Sequence, residues 1–228
     1  MSAPKGRTLE RRHRRLRNHW RTGVLAELLV STPGKTVLNY GCGEGGDRAW
    51  MEGRGLEVTA FDVYPSDHSD YVCDGHELPF ADSQFDIVTA ISVFQYLADP
   101  LKGISEIARV LRPGGALVGT VAFLEAQDKQ TYFHMTHLGV RELLSRAGFE
   151  AIEVYPGWSF RESLNESFWV WNQISALSAI HRAWGRLSFR LGLALWRAGY
   201  RMKGKSAPED LEMRFAGSLQ FKAVKKMA

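Results

Sequence analysis

Gly41, Gly43, Gly45 and Gly46 close the stretch VLNYGCGEGGD at residues 37–47, directly after a run with strand propensity. Glycine reaches positive φ at no steric cost and lets a ligand approach the backbone, so such a turn before a helix offers amide donors to a small molecule's polar groups. Taken alone, a cluster of this kind also fits a plain tight turn. Two carboxylates sharpen it. Asp62 ends EVTAFD seventeen residues beyond Gly45, at a position where a carboxylate accepts hydrogen bonds from both hydroxyls of a ribose. Asp74 follows in YVCDGHELPF, where its carboxylate and the Gly75 amide can read the amino group and ring nitrogen of an adenine. Sugar and base are both provided for. Gly41, Gly43 and Gly46 also satisfy the spacing of a dinucleotide turn, and Asp62 suits either ribose, so nicotinamide dinucleotide binding stands as an alternative.

These groups must sit at strand ends. The sequence predicts strands at about 36–40, 57–62, 69–73, 86–92, 115–122 and 150–155, with helices at about 45–53, 101–111 and 137–147. Alternation of this kind implies an α/β fold, a largely parallel sheet with helices on both faces. In such sheets ligands lie beyond the carboxyl ends of the strands.

At 228 residues the chain is long enough for one well-buried core and short for two. Cys42 and Cys73 have neither metal-ligand spacing nor disulfide-scaffold density, so a reducing cytoplasmic setting and no metal are expected. No run of about 18 uncharged apolar residues predicts a membrane span, and the N-terminus lacks the apolar core of a signal peptide. The net charge of +4 divides unevenly into +7 over residues 1–22, −10 over 23–160 and +7 over 161–228. An acidic body between basic flanks should meet anionic partners through the flanks.

Several motifs in order make the chain resemble the class I S-adenosylmethionine-dependent methyltransferases, especially those acting on small molecules: VLNYGCGEG, FDVYPSD, CDGHELPFADSQFDIV and SEIARVLRPGGALVGTVAF. The resemblance covers residues 35–156 and the last strand, 214–224. It implies a Rossmann-like, mostly parallel seven-stranded sheet with an antiparallel last strand, and S-adenosylmethionine as cofactor with S-adenosylhomocysteine as product. It implies that Gly41, Gly43 and Gly45, with Cys42, pass close to the methionine part. Asp62 and Val63 would take the ribose, Asp74 and Gly75 the adenine, and Ile91 and Ser92 the floor beneath the methyl group. Two departures stand out. Asn39 occupies a position where the family usually has an acidic residue, although its amide oxygen can still accept a hydrogen bond. Gln95-Tyr96 stands where many relatives have Glu-His. These departures keep open a partner protein of the same fold without catalysis.

For a hydroxyl acceptor a general base belongs in the loops beyond the fourth or fifth strand. The candidates are His134 first, then Glu125, Tyr132 and His137, with Tyr96, Phe133 and Trp169 on the substrate side. O-methylation of a hydrophobic, glycosidic or lipid-linked acceptor is expected. No Asn/Asp-Pro-Pro-Tyr stretch follows the fourth strand, which argues against exocyclic amines of bases, and nucleic acid is not expected as a partner.

One domain over 1–228 is predicted: a basic N-terminal helix at 1–22, a cofactor-binding core at 35–156, a helical insertion or lid at 157–213 and the final strand in 214–228. In the insertion Arg182, Arg186, Arg190, Arg197 and Arg201 fall within an arc of about 100° on a helix, opposite Trp184, Leu187, Leu191, Leu195 and Ala198. Such a helix can pack as an extra layer, form a homodimer interface, or touch a membrane surface through residues 167–201.

Overall fold

The computed structural model describes residues 26, 27, 29, 35–125, 127, 130–157, 187, 191, 192, 194–204, 211–214 and 216–227. Expectations for residues 1–22, for Trp169 and for most of 157–213 lie outside the described residues.

Strand β1 (Thr36–Tyr40) leads into α1 (Gly46–Glu52), then β2 (Glu57–Asp62), β3 (Tyr71–Val72) and β4 (Phe85–Ile91). After a 3-10 turn at Phe94–Tyr96 come α2 (Pro100–Val110), β5 (Leu111–Ala122), α3 (His137–Arg146), β6 (Phe149–Pro156), α4 (Leu211–Arg214) and β7 (Ser218–Lys225). The seven strands form one sheet in the order β3-β2-β1-β4-β5-β7-β6. β7 runs antiparallel to both β5 and β6, and the remaining pairs are parallel. This is the Rossmann-like α/β class with an antiparallel last strand that the motifs imply.

Position in the sheet explains the strand sequences. β4 reads FDIVTAI with its central residues buried, as a strand covered on both faces should. The core splits across the sheet: Leu38, Tyr40, Phe61, Val88, Phe94, Ile104 and Ile107 pack on one side, and Val37, Met51, Ile87 and Val118 on the other. The helices begin at local signals. Asp99 caps α2 by accepting from Lys102 N at 3.0 Å with Pro100 in the first turn, and Thr136 caps α3 by accepting from Gly139 N at 3.1 Å.

Three boundaries differ from the sequence expectation. β3 shrinks to two residues because Asp70 turns its carboxylate onto the backbone of β2, accepting from Ala60 N at 2.9 Å and from Arg48 at 2.8 Å. β5 starts at Leu111, carrying Pro113-Gly114-Gly115 as an irregular lead-in where its register against β4 shifts. Residues 211–214 form a helix, so the last strand begins at Ser218.

Candidate active site

The turn after β1 is built by main-chain geometry. Gly41, Gly43 and Gly45 have φ of 72°, 50° and 75°, in the left-handed region that favours glycine. Gly41 N and Cys42 N both donate to Phe61 O of β2, at 3.0 and 2.9 Å. A Cβ on Gly41 would meet Val93 Cγ2 at 2.7 Å, whereas one on Gly43 would meet nothing within 4 Å. The Gly43 edge is therefore open to a ligand.

Asp62, at the end of β2, is oriented by two main-chain donors. Gly43 N donates to its Oδ2 at 2.9 Å and Tyr64 N to its Oδ1 at 3.1 Å. Asp74, beyond β3, accepts from His76 N at 2.9 Å and lies 2.6 Å from His76 Nδ1. These two His76 bonds hold the Asp74 carboxyl below the usual carboxylate range despite partial burial. Beneath this segment the buried Tyr40 hydroxyl donates to Gly75 O at 2.8 Å. Burial raises the Tyr40 phenol and both cysteine thiols above their ordinary values, and neighbouring carboxylates push the same way, so these groups stay protonated near neutrality.

At the end of β4, Ser92 adopts φ of 55°, uncommon for a residue with a side chain. Thr120 of β5 holds it there: Ser92 N donates to Thr120 O at 3.1 Å and to Thr120 Oγ1 at 2.9 Å. The two hydroxyls are 3.1 Å apart.

One cleft of about 710 Å³ joins these strand ends, lined by Gly41, Gly43, Asp62, Val63, Asp74, Gly75, Ile91 and Ser92 among others. Tyr64, Tyr96 and Tyr132 also line it, and Gln130 donates from its side chain to the Tyr64 hydroxyl at 2.8 Å, tying the loop after β5 to the end of β2. Of the cofactor-side residues expected from the sequence, Asn39, Cys42 and Gly45 are not in the lining. Asn39 is 1% exposed, its Oδ1 accepts from the Thr89 hydroxyl at 3.3 Å and its Nδ2 is buried with no hydrogen-bond partner. The oxygen expected to serve a ligand thus already has a donor. Among the base candidates Tyr132 alone is in the lining; Glu125 and the exposed His134 are not, and His137 is the first residue of α3. Phe133, 43% exposed, is also outside it.

His76, Val93, Leu97, Ala98 and Gln130 line the cleft without having been singled out in the sequence. A charged or ring side chain two residues after Asp74 was the only local sign of His76. Nothing in the sequence pairs Gln130 with Tyr64, because the partners are 66 residues apart.

Residues 38–119 match the family described as a methyltransferase domain. That match spans 82 of the 228 residues, and over it the chain is similar to S-adenosylmethionine-dependent methyltransferases. The chain is similar to the demethylmenaquinone methyltransferase of Beutenbergia cavernae, 33% identical over 43% of this chain and 45% of the relative. It is also similar to the malonyl-[acyl-carrier protein] O-methyltransferase of Serratia marcescens, 34% identical over 39% of this chain and 38% of the relative. The chain thus spans less than half the length of these two relatives. Among solved structures, Haemonchus contortus phosphoethanolamine N-methyltransferase 2 in complex with S-adenosyl-L-methionine shares the fold at a TM-score of 0.55 and 22% identity, over 90% of this chain and 53% of that one.

The residues present suit that cofactor. Gly43 leaves an open backbone edge, Asp62 presents a carboxylate fixed by two N–H donors, Asp74 supplies a second, and Ile91 adds an apolar side chain to the lining.

Proposed function

We propose that this chain transfers a methyl group from S-adenosylmethionine to a small-molecule acceptor. The observation that carries the proposal is Asp62, anchored by Gly43 N and Tyr64 N in the same cleft that Asp74 lines. When bound, the cofactor supplies an electrophilic methyl group on a positively charged sulfur. Asp62 takes the ribose hydroxyls, and Asp74 with Gly75 takes the adenine. Gly41 and Gly43 flank the methionine end, and Ile91 and Ser92 form the floor. Tyr64, Tyr96 and Tyr132 exclude water and align the acceptor, a contribution of about 7–11 kcal/mol where alignment is good. The chain works as one domain, with 35–156 as the cofactor-binding core.

We take the acceptor to be hydrophobic, glycosidic or lipid-linked and the acceptor atom to be oxygen. The tyrosine rim and the two curated relatives support an apolar or carrier-borne acceptor. Calorimetric titration with S-adenosylhomocysteine and with NAD tests the assignment. Binding of the first, weakened at least tenfold by Asp62→Ala, is expected. Tight NAD binding with no S-adenosylhomocysteine binding overturns it, and uptake of neither ligand selects the partner-protein reading.

A lipid surface is a second proposed partner. Leu187, Leu191, Leu195 and Met202 are 59%, 56%, 64% and 88% exposed at helical spacing, Arg197 and Arg201 beside them are exposed, and residues 167–208 contain no Asp or Glu. Such a helix suits an anionic bilayer interface, whereas a second copy would oppose like charges. None of the described helices is long and apolar enough to cross a membrane.

A further inference from the structure

We infer that His76 is a positioning residue that makes Asp74 selective for an amino-bearing purine. This rests on the assignment of the cleft to an adenosyl cofactor. The imidazole lies between two segments: Nδ1 is 2.6 Å from Asp74 Oδ1, and Nε2 accepts the main-chain N–H of Asp99 at 3.2 Å. An amide N–H can only donate, so Nε2 must present its lone pair, and the proton of the neutral ring sits on Nδ1 and points to the carboxylate. Both ring nitrogens are thereby committed.

The arrangement has a consequence at each end. At one end Asp74 Oδ1 receives two hydrogen bonds from a single residue, the ring N–H and the His76 main-chain N–H. Its other oxygen is left as the acceptor available to a ligand, on a side chain that is 68% exposed while His76 is 16% exposed. A carboxylate oxygen held this way accepts from an exocyclic amino group but has no hydrogen to offer a ring carbonyl. At the other end Asp99 is the cap of α2, accepting from Lys102 N, and the two residues before it, Leu97 and Ala98, line the cleft. His76 therefore braces the base-reading carboxylate against the wall formed by the loop between β4 and α2. From below, Tyr40 bonds Gly75 O, so the 74–76 segment is secured on two sides.

The experiment is calorimetric titration of the full chain and of His76→Ala and His76→Asn with S-adenosylhomocysteine and with its 6-oxo analogue, S-inosylhomocysteine. Asparagine retains a donor at the Nδ1 position and lacks the acceptor for Asp99. We expect His76→Ala to weaken S-adenosylhomocysteine binding about tenfold, the scale of one charge-assisted hydrogen bond, while the inosyl analogue changes less than twofold. His76→Asn should restore most of the lost affinity. An equal loss for both ligands would mean that His76 acts only as a structural support and overturns the inference, as would unchanged affinity in His76→Ala. Failure of the unaltered chain to bind S-adenosylhomocysteine would instead refute the cofactor assignment.

Discussion

Gly75→Ala should damage the fold and the 74–76 segment together. An added Cβ would press into the Tyr40 hydroxyl and lie 2.7 Å from Tyr40 Cζ. Tyr40 has nowhere to go. It is 1% exposed, and its ring packs edge-on against Phe61 at 4.7 Å between centroids. Its hydroxyl also bonds Gly75 O, so any displacement breaks that bond. Overpacking of this kind costs about 1–3 kcal/mol, and loss of a buried hydrogen bond adds about 1 kcal/mol. A total of about 2–4 kcal/mol corresponds to a fall in Tm of roughly 4–16 °C for a chain of this size. Thermal and urea unfolding of the single variant, of Tyr40→Phe and of the pair measure it. Removing the hydroxyl takes away the nearest contact, although Cζ stays at 2.7 Å, and leaves no hydrogen bond for the methyl group to break, so Gly75→Ala in the Tyr40→Phe background should cost at least 1 kcal/mol less than alone. Gly75→Ala within 0.5 kcal/mol of the unaltered chain, or strict additivity of the pair, would refute the reasoning.

Glu106 predicts a pH dependence. Arg109 at 2.8 Å holds its carboxyl below the usual range, opposed by partial burial and helped by Leu78 N at 2.9 Å. A depressed folded pKa contributes stability that is full above the unfolded value of about 4.3 and lost as pH falls through the folded value. Glu106→Gln should therefore destabilise the chain at pH 7 and flatten its loss of stability below pH about 4.3 in urea unfolding. A parallel profile would contradict this. His134→Ala should leave turnover on an identified acceptor within about threefold, since the residue is outside the cleft lining; a drop of ~10²–10⁴ would instead establish it as the base. In vesicle sedimentation the chain should bind phosphatidylglycerol membranes at low salt. Arg197→Glu with Arg201→Glu should weaken that binding at least ~25-fold, at about 1 kcal/mol per cation near the surface. No sedimentation at low salt removes the lipid partner.

The parts of the site readable in the sequence are those whose signal is local. The glycine turn announces itself because positive φ at Gly41, Gly43 and Gly45 restricts residue type. The strand-helix alternation is legible because β1 and β4 are largely buried runs, β2 ends in the buried Ala60-Phe61 pair, and each strand is closed by Gly, Asp or Ser. Asn39 is legible as a residue near the turn but not as one whose amide oxygen accepts from Thr89, a contact across two paired strands. Side-chain chemistry alone ranks His134 over Tyr132 in the sequence. Which of two residues in one short loop lines a cleft depends on how Gln95 O anchors that loop through Tyr132 N and Phe133 N.

The sequence by itself determined the α/β class, the order of cofactor motifs and the two carboxylates, since hydrophobic period, turn chemistry and strand-end position are written within a few residues of each other. The tertiary structure alone decided that His76 joins Asp74 to Asp99, that Tyr40 supports Gly75, and that Gln130 meets Tyr64. These partners lie 23 to 66 residues apart along the chain, Asp74 excepted. They meet because the order β3-β2-β1-β4-β5 brings the carboxyl ends of parallel strands to one edge of the sheet. The turn that opens the motif is a property of glycine; the site around it is a property of strand order.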